Sequence, residues 1–185
     1  SDLIMKTRSF IVLLSLFLFV SCGEKRTNPL IQELNDSWVV TTDTLNIKMQ
    51  VDVPSVIQAD MYENGLIPHP YKSNVEPQLL WIPQHEWTYT LDFVADDYIL
   101  DEDVVELVFE GLDTYADVWF NGKKILHADN MFRTYSYDVK DIIKEKNNIK
   151  IKFYPFDKER DSLIETYRLR FPEKYAVMRK AAYQN

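Results

Sequence analysis

Residues 111–122 read Gly-Leu-Asp-Thr-Tyr-Ala-Asp-Val-Trp-Phe-Asn-Gly. In the second half of this stretch, apolar side chains alternate with others at Ala116, Val118 and Phe120. A period of two residues indicates a β-strand with one buried face. Asn121-Gly122 follows at once, and because both residues accept a positive φ, they favour a two-residue hairpin turn. Residues 124–127 are then the returning strand, so the segment predicts an antiparallel hairpin.

Short β-prone segments continue on both sides of this hairpin, and turn signals separate them at roughly 10–15-residue spacing. Such a series favours an antiparallel sandwich over alternating βαβ units. We therefore predict an all-β fold, an antiparallel β-sandwich. The predicted strands are 38–42, 45–51, 87–93, 104–109, 116–120, 124–127, 132–137 and 148–153.

Three parts of the chain depart from the strand pattern. Ser55 is expected to cap a brief helix over 56–63, which would end at Asn64-Gly65. Residues 66–86 hold four of the eight prolines and predict a long ordered loop. The charged segment 157–185 predicts one or two short helical pieces in a C-terminal extension of the sandwich.

Composition narrows the classes of protein and partner. The chain has 185 residues and a formal net charge of −8, which argues against nucleic acid as a partner, since a phosphate backbone needs a basic face. A single cysteine excludes a disulfide framework and a multi-cysteine zinc site. Three scattered histidines do not suggest a metal centre, so we predict neither a metal nor a cofactor.

The first 21 residues have the pattern of a secretory signal. Lys6 and Arg8 precede an apolar run over 10–20, and a small residue, Ser21, follows it. The run is shorter than the roughly 20 apolar residues that a spanning helix needs. We therefore expect residues 1–21 to be a signal peptide, with Met5 as the natural start.

The only cysteine, Cys22, directly follows this segment. This arrangement resembles a bacterial lipoprotein signal, in which the cysteine becomes the acylated first residue of the mature chain. The resemblance implies lipidation at Cys22, a tether over 22–33 and a membrane contact through the lipid anchor. It places the protein in the bacterial cell envelope, facing the periplasm or the outside. The alternative is an ordinary secretory signal followed by a coincidental cysteine.

The segment 111–122 resembles the signature of the N-terminal sugar-binding-like domain of family 2 glycoside hydrolases. Further segments are similar to the β-mannosidase subgroup of that family, in the same order along the chain. They are 53–60, 63–71, 74–76, 80–82, 131–133, 137–139 and 178–184. The resemblance covers roughly 34–184 and implies a jelly-roll, galactose-binding-like sandwich domain over 34–156.

The resemblance implies a non-catalytic domain of a β-mannosidase-like, retaining hydrolase that acts on terminal β-mannosyl residues of glycans. The family's pair of catalytic glutamates lies on a downstream barrel, so no catalytic residue is predicted here and the substrate-binding residues are unknown. The match stops at Asn185, where a Trp-Asp-Trp segment would begin. We expect an incomplete chain, inactive alone, whose partners are the downstream domains. A stand-alone carbohydrate-binding lipoprotein is the alternative.

Several residues invite other chemical interpretations. The acidic groups Asp96/Asp97 and Asp101/Glu102/Asp103 form a solvated acidic turn, supply a carboxylate pair for glycoside hydrolysis, or form a weak calcium site. His69, His85 and His127 are explained by polar loop positions better than by metal binding or base catalysis. Asp117 and His127 would form a triad only with a serine nearby, and no Gly-x-Ser-x-Gly elbow is present.

Aromatic residues make up 14% of the chain and allow two interpretations. Sugar C–H faces stack on exposed rings, so an aromatic surface would serve as a carbohydrate platform. Alternating aromatics also fill the faces of a sandwich, and this second reading is favoured. The residues concerned are Trp81, Trp87, Tyr89, Trp119, Phe132, Tyr135 and Tyr137.

Overall fold

A computed structural model describes residues 29–42, 44–72 and 74–167. The main compact body begins at Gln32. The predicted signal peptide, Cys22, most of the tether and the segment 168–185 lie outside the described residues. Everything below concerns the described part of the body that begins at Gln32.

Two antiparallel sheets form the framework. The larger sheet has six strands in the order β2-β1-β3-β8-β5-β6, and the smaller pairs β4 with β7. The fold is therefore mostly antiparallel β, and the predicted fold class is confirmed. The strands are β1 Trp38–Thr42, β2 Ile47–Val51, β3 Trp87–Val94, β4 Glu106–Phe109, β5 Ala116–Phe120, β6 Lys123–Ala128, β7 Tyr135–Asp138 and β8 Lys146–Phe153.

The described helices are short and lie between or after the strands. They are α1 Ile57–Glu63, α2 Glu76–Leu79, a 3-10 turn Ile82–Gln84, α3 Asp97–Leu100 and α4 Phe156–Tyr167. The predicted long loop thus contains α2 and the 3-10 turn, each with a proline in its first turn, where the missing N–H costs no hydrogen bond.

The start of α1 corrects one prediction. The residue at the N-cap is Val56, and no side chain caps the helix. The Ser55 hydroxyl instead donates to the carboxylate of Asp60, at 2.8 Å. That carboxylate is buried and needs a donor, so the serine serves it rather than the backbone amides. The predicted end is confirmed: Asn64 is the C-cap and Gly65 has a φ of +69°.

The inner faces of both sheets share one apolar core. Alternation along β5 is as predicted, with Ala116, Val118 and Phe120 pointing into this core. The last predicted strand before β8 begins later than expected, because β7 starts at Tyr135. Phe132 therefore lies in the preceding turn and is 78% exposed.

A network of asparagines joins the β5–β6 turn to the beginning of β8. The Asn121 side-chain amide donates to the Asn147 side-chain oxygen at 2.9 Å and to the carbonyl of Ile142 at 2.8 Å. Its oxygen accepts from the Asn148 amide at 2.9 Å. Asn147 is itself buried and bonds both the N–H and the C=O of Lys144. These side-chain amides add to the sheet pairing where β5 ends and β8 begins.

Replacing Asn147 by leucine is expected to lower the free energy of unfolding by about 2–3 kcal/mol. The backbone of Lys144 and one Asn121 hydrogen would lose their partners in a buried place, and such losses cost about 1–3 kcal/mol each when water cannot compensate. Urea titration followed by circular dichroism measures the change.

The adjacent Asn148→Leu variant is the matched control. The Asn148 side chain bonds only the exposed Asp92 carboxylate among the contacts described, so its loss is expected to stay within about 0.5 kcal/mol. Equal destabilisation by the two substitutions would contradict the role assigned to the buried network.

Candidate functional site

Asp117 and His127 face each other on the outer side of the larger sheet. They are register partners on β5 and β6, and the His127 Nδ1 lies 2.7 Å from the Asp117 Oδ1. The aspartate and the histidine of the triad considered from the sequence are therefore in contact. The strand register places them there, because each stands opposite the other in the hairpin that Asn121-Gly122 closes.

The remaining partners of Asp117 are a cation and a phenol. The Lys124 Nζ lies 2.7 Å from its Oδ2, and the Tyr154 hydroxyl donates to the same oxygen at 3.0 Å. No serine is among these described partners. Asp117 is only 8% exposed, whereas the lysine and histidine side chains are half-exposed. The buried carboxylate is therefore covered by the half-exposed side chains of Lys124 and His127.

The electrostatics of this cluster keep Asp117 ionised. Burial acts to raise its pKa, but the hydrogen bonds from Lys124, His127 and Tyr154 outweigh burial, and the pKa lies below its usual value. A general acid or base works best with a pKa near the operating pH. The pKa of Asp117 is shifted away from neutral pH. The cluster therefore acts as a structural link between β5, β6 and the end of β8.

A second tie on the same side of the molecule holds α4. The Glu86 carboxylate bonds Lys152 of β8 at 2.7 Å and Lys158 of α4 at 3.2 Å. The bond from Lys152 is the main reason why the pKa of Glu86 lies below its usual value, against a smaller opposing effect of burial. Phe156, at the start of the helix, packs on the Tyr115 ring with centroids 5.8 Å apart.

Sequence reasoning missed both Tyr154 and Glu86. Their partners are 37 and 66–72 residues away in the chain, so local patterns contain no signal for them. Only the pairing of β3, β5 and β8 brings these side chains together.

The candidate aromatic platform is dispersed. Trp87 and Tyr135 are buried in the core, and burial raises the pKa of Tyr89 well above its usual range. Trp119 does lie on the outer face, but the ammonium groups of Lys150 and Lys124 stand 4.3 and 5.9 Å from its ring centroid. These cation–π contacts take up the ring face on which a sugar would stack. Most of the set therefore packs in or against the core, as the favoured interpretation holds, whereas Trp119 and Phe132 lie outside the core.

The loop position expected of His127 is wrong, because this residue lies on β6, where it pairs with Asp117. The other two histidines lie in the segment between α1 and β3. The His69 ring contacts two tyrosine rings edge to face. A ring nitrogen of His85 is 2.8 Å from the carbonyl oxygen of Trp81. Neither histidine is near the Asp117 cluster in any contact described.

The acidic segment 96–103 forms a small helical turn. Asp96 is the N-cap of α3, and its carboxylate accepts from the Tyr98 hydroxyl, which raises the pKa of that phenol. The side-chain N–H of Gln32 donates to the Val94 carbonyl, and the side-chain oxygen of Gln32 accepts from the backbone N–H of Asp96. These two bonds connect the turn to the start of the body. In residues 29–42, 44–72 and 74–167, no cluster of His, Cys, Asp or Glu is arranged to hold a metal ion.

A shallow groove of about 510 Å³ lies between the end of β2 and α1. No sequence pattern predicted this groove. Burial, only partly offset by the Ser55 hydrogen bond, raises the pKa of Asp60, which lines the groove. Asp52 is engaged as well, since its carboxylate accepts from the Ser37 amide at 2.9 Å. Asp52 and Asp60 thus hold the turns around the groove.

The fold and these clusters define a structural β-sandwich domain, and comparison with known proteins identifies its family. Residues 35–185 match the family model "Glycosyl hydrolase 2 galactose-binding domain-like". The chain belongs to this family.

Individual relatives agree with that assignment. A β-mannosidase of Mus musculus is 32% identical over 120 residues, which are 65% of this chain and 14% of that protein. β-Mannosidase A of Emericella nidulans is 40% identical over 109 residues, 58% of this chain and 11% of that protein. The chain thus spans about a seventh or less of these two relatives.

Solved structures show the same fold. The β-D-mannosidase of Dictyoglomus thermophilum superposes with a TM-score of 0.74 at 28% identity, over 80% of this chain and 18% of that one. A β-glucuronidase from an uncultured Clostridium gives 0.52 at 18% identity over 73% of this chain and 24% of that one, which is a likeness of fold alone. Over the part of the chain that the structure describes, no helix is long and apolar enough to cross a membrane.

The Asp117→Asn variant is expected to be less stable than the parent at pH 7 by about 1 kcal/mol, a modest value because its charged partners are half-exposed. The folded-state pKa of Asp117 is lowered, so its stabilisation is present above the usual value of 3.8 and is lost as the pH falls through the folded-state pKa. Urea titrations at pH 7 and pH 3 measure the difference.

The gap between the parent and this variant should therefore shrink at pH 3. Asp92→Asn, which removes an exposed carboxylate from the same face, is the control and is expected to change stability by less than about 0.5 kcal/mol. A gap that is constant across this pH range would contradict the ionised role of Asp117.

Proposed function

We propose that this chain is the N-terminal, non-catalytic domain of a β-mannosidase-like glycoside hydrolase that acts on terminal β-mannosyl residues of glycans. The observation that carries the proposal is the structural match to the Dictyoglomus thermophilum β-D-mannosidase, with a TM-score of 0.74 over 80% of this chain. The curated relatives in mouse and Emericella nidulans bear the same kind of name.

The polar clusters of the described residues support a non-catalytic role. Asp117 is held ionised by three donors, and Glu86 is held ionised chiefly by its bond to Lys152. Retaining glycosidases need two carboxyl groups about 5–5.5 Å apart, one of them a proton donor. The ties described here join strands and a helix instead, which is what a supporting domain requires.

The chain by itself is expected to show no hydrolysis of an aryl β-mannoside, because the catalytic carboxyl pair of a β-mannosidase would lie in other domains. The gene should continue beyond the codon for Asn185, and the longer product should release the aryl group. Sequencing the gene and assaying both products side by side measures this. Turnover by the 185-residue chain, or a stop codon after Asn185, would refute the proposal.

We further propose that the protein is anchored in the bacterial cell envelope by a lipid on Cys22. The support is the order of basic residues, apolar run and cysteine at the start of the sequence. A single acyl chain binds membranes only marginally, so stable anchoring needs more than one chain on the cysteine. The segment 22–33 would then serve as the tether.

Cys22→Ala is expected to move the protein from the membrane fraction to the soluble fraction of the cell envelope. Mass spectrometry of the parent should find acyl chains on a mature N-terminus at Cys22. Ser21→Ala, which retains a small residue before the cleavage site, is the matched control and should stay in the membrane fraction. A soluble parent with a free thiol would contradict the anchor.

A further inference from the structure

Three rings form a continuous row on the surface of the segment between β2 and β3. The ring of His69 contacts Tyr62 of α1 at a centroid distance of 4.8 Å and Tyr71 at 5.9 Å. We call Tyr62, His69 and Tyr71 the aromatic row. Two backbone N–H groups hold His69 in place. The Tyr71 N–H donates to the His69 Nδ1 at 3.3 Å, and the Lys72 N–H donates to the His69 carbonyl at 3.2 Å.

The row does not contribute to the core of the sandwich. Tyr71 is 92% exposed, and Tyr62 is exposed as well. Other exposed apolar residues belong to the same segment of the chain, namely Val56, Leu66 and Leu80. Large exposed apolar patches on soluble proteins mark interaction sites. Tyrosine is enriched in protein interfaces, where it buries a large rigid ring at a small cost in conformational entropy.

The outer face of the larger sheet differs from this surface. Several of its charged groups are paired with one another, as in the Asp117 and Glu86 clusters, and the ammonium groups of Lys124 and Lys150 lie over the ring of its tryptophan, Trp119. A partner that covered this face would have to displace those contacts. The aromatic row can be covered with little loss of existing bonds, so it is the better docking surface.

From these observations we infer that the aromatic row is the surface on which a downstream domain of the same polypeptide packs through an apolar patch. The inference rests on the proposed function. Its occupant is indicated by the extent of the relatives: the matched region is 14% of the mouse protein and 18% of the Dictyoglomus thermophilum chain, so most of each relative lies in other domains. Where domains of one chain pack together, the interface typically covers about 600–1,500 Å².

The test compares thiol labelling in the 185-residue chain and in the longer gene product. Both carry Cys22→Ser, which removes the native thiol, together with Tyr71→Cys. In the short chain, position 71 should react with a maleimide as a freely exposed thiol. In the long chain, labelling of the peptide that contains position 71, read by mass spectrometry, should slow by about tenfold or more because the thiol is covered.

Phe132→Cys in the same background is the matched control, since Phe132 is an exposed aromatic of another loop, outside the aromatic row. It should label at the same rate in both chains. Equal rates at position 71 in the two chains, or equal slowing at both positions, would overturn the inference. Activity on an aryl β-mannoside is measured in parallel with the long chain that retains Tyr71 and Phe132. An active long chain with position 71 freely labelled refutes the docking surface alone, whereas an inactive or absent long chain refutes the proposed function.

Discussion

The pairing of β8 with both β3 and β5 is the constraint on which the rest of the structure depends. Eight residues of β8 pair with β3 and five pair with β5, so this strand joins the two halves of the larger sheet. Its start is fixed by the buried side chain of Asn147, and its continuation carries Lys152 and Tyr154 to the outer polar clusters. One strand thus sets the register of the core on one face and the position of the charges on the other.

The outer face shows how that register satisfies buried charge. A carboxylate removed from water requires partners, or its pKa rises and it is protonated. Asp117 has three donors: Lys124 and His127 from β6, and Tyr154 from the end of β8. Because β5 is also paired with β8, a slip of one residue between β5 and β6 would turn His127 away from Asp117 and towards the other face, so the same cluster that keeps the carboxylate ionised also opposes the wrong pairing.

The sequence predicted most of the framework because local rules determine it. Alternation at Ala116, Val118 and Phe120, followed by Asn121-Gly122, specifies a hairpin without knowledge of the rest of the chain. The cap at Ser55 was wrong because a buried carboxylate five residues later competes for the hydroxyl, and burial is a tertiary property. The expected strand start at Phe132 was wrong because β7 begins only where its register with β4 does, at Tyr135.

The candidate site was less predictable than the fold, for the same reason. The contact between Asp117 and His127 follows from the hairpin, but its chemical meaning depends on Lys124 and Tyr154. Without the phenol and the ammonium group, an aspartate–histidine pair is ambiguous between catalysis and structure. With them, the pKa of Asp117 is lowered and its carboxylate is hydrogen-bonded to Lys124, His127 and Tyr154. The spacing of residue types in a sequence does not contain that information.

Asp60 is the described carboxyl group that most resembles an acid catalyst, since burial raises its pKa and Glu63 lies one turn further along α1. Its environment argues against that role. Its carboxylate is buried and is engaged by Ser55, and a sugar oxygen would have to displace that hydroxyl to receive a proton. The pKa of Asp60 is raised because the group is packed beneath a turn, whereas an acid catalyst needs a raised pKa in a cleft that is open to substrate. Asp60, like Asp117 and Glu86, therefore serves the packing of the described body.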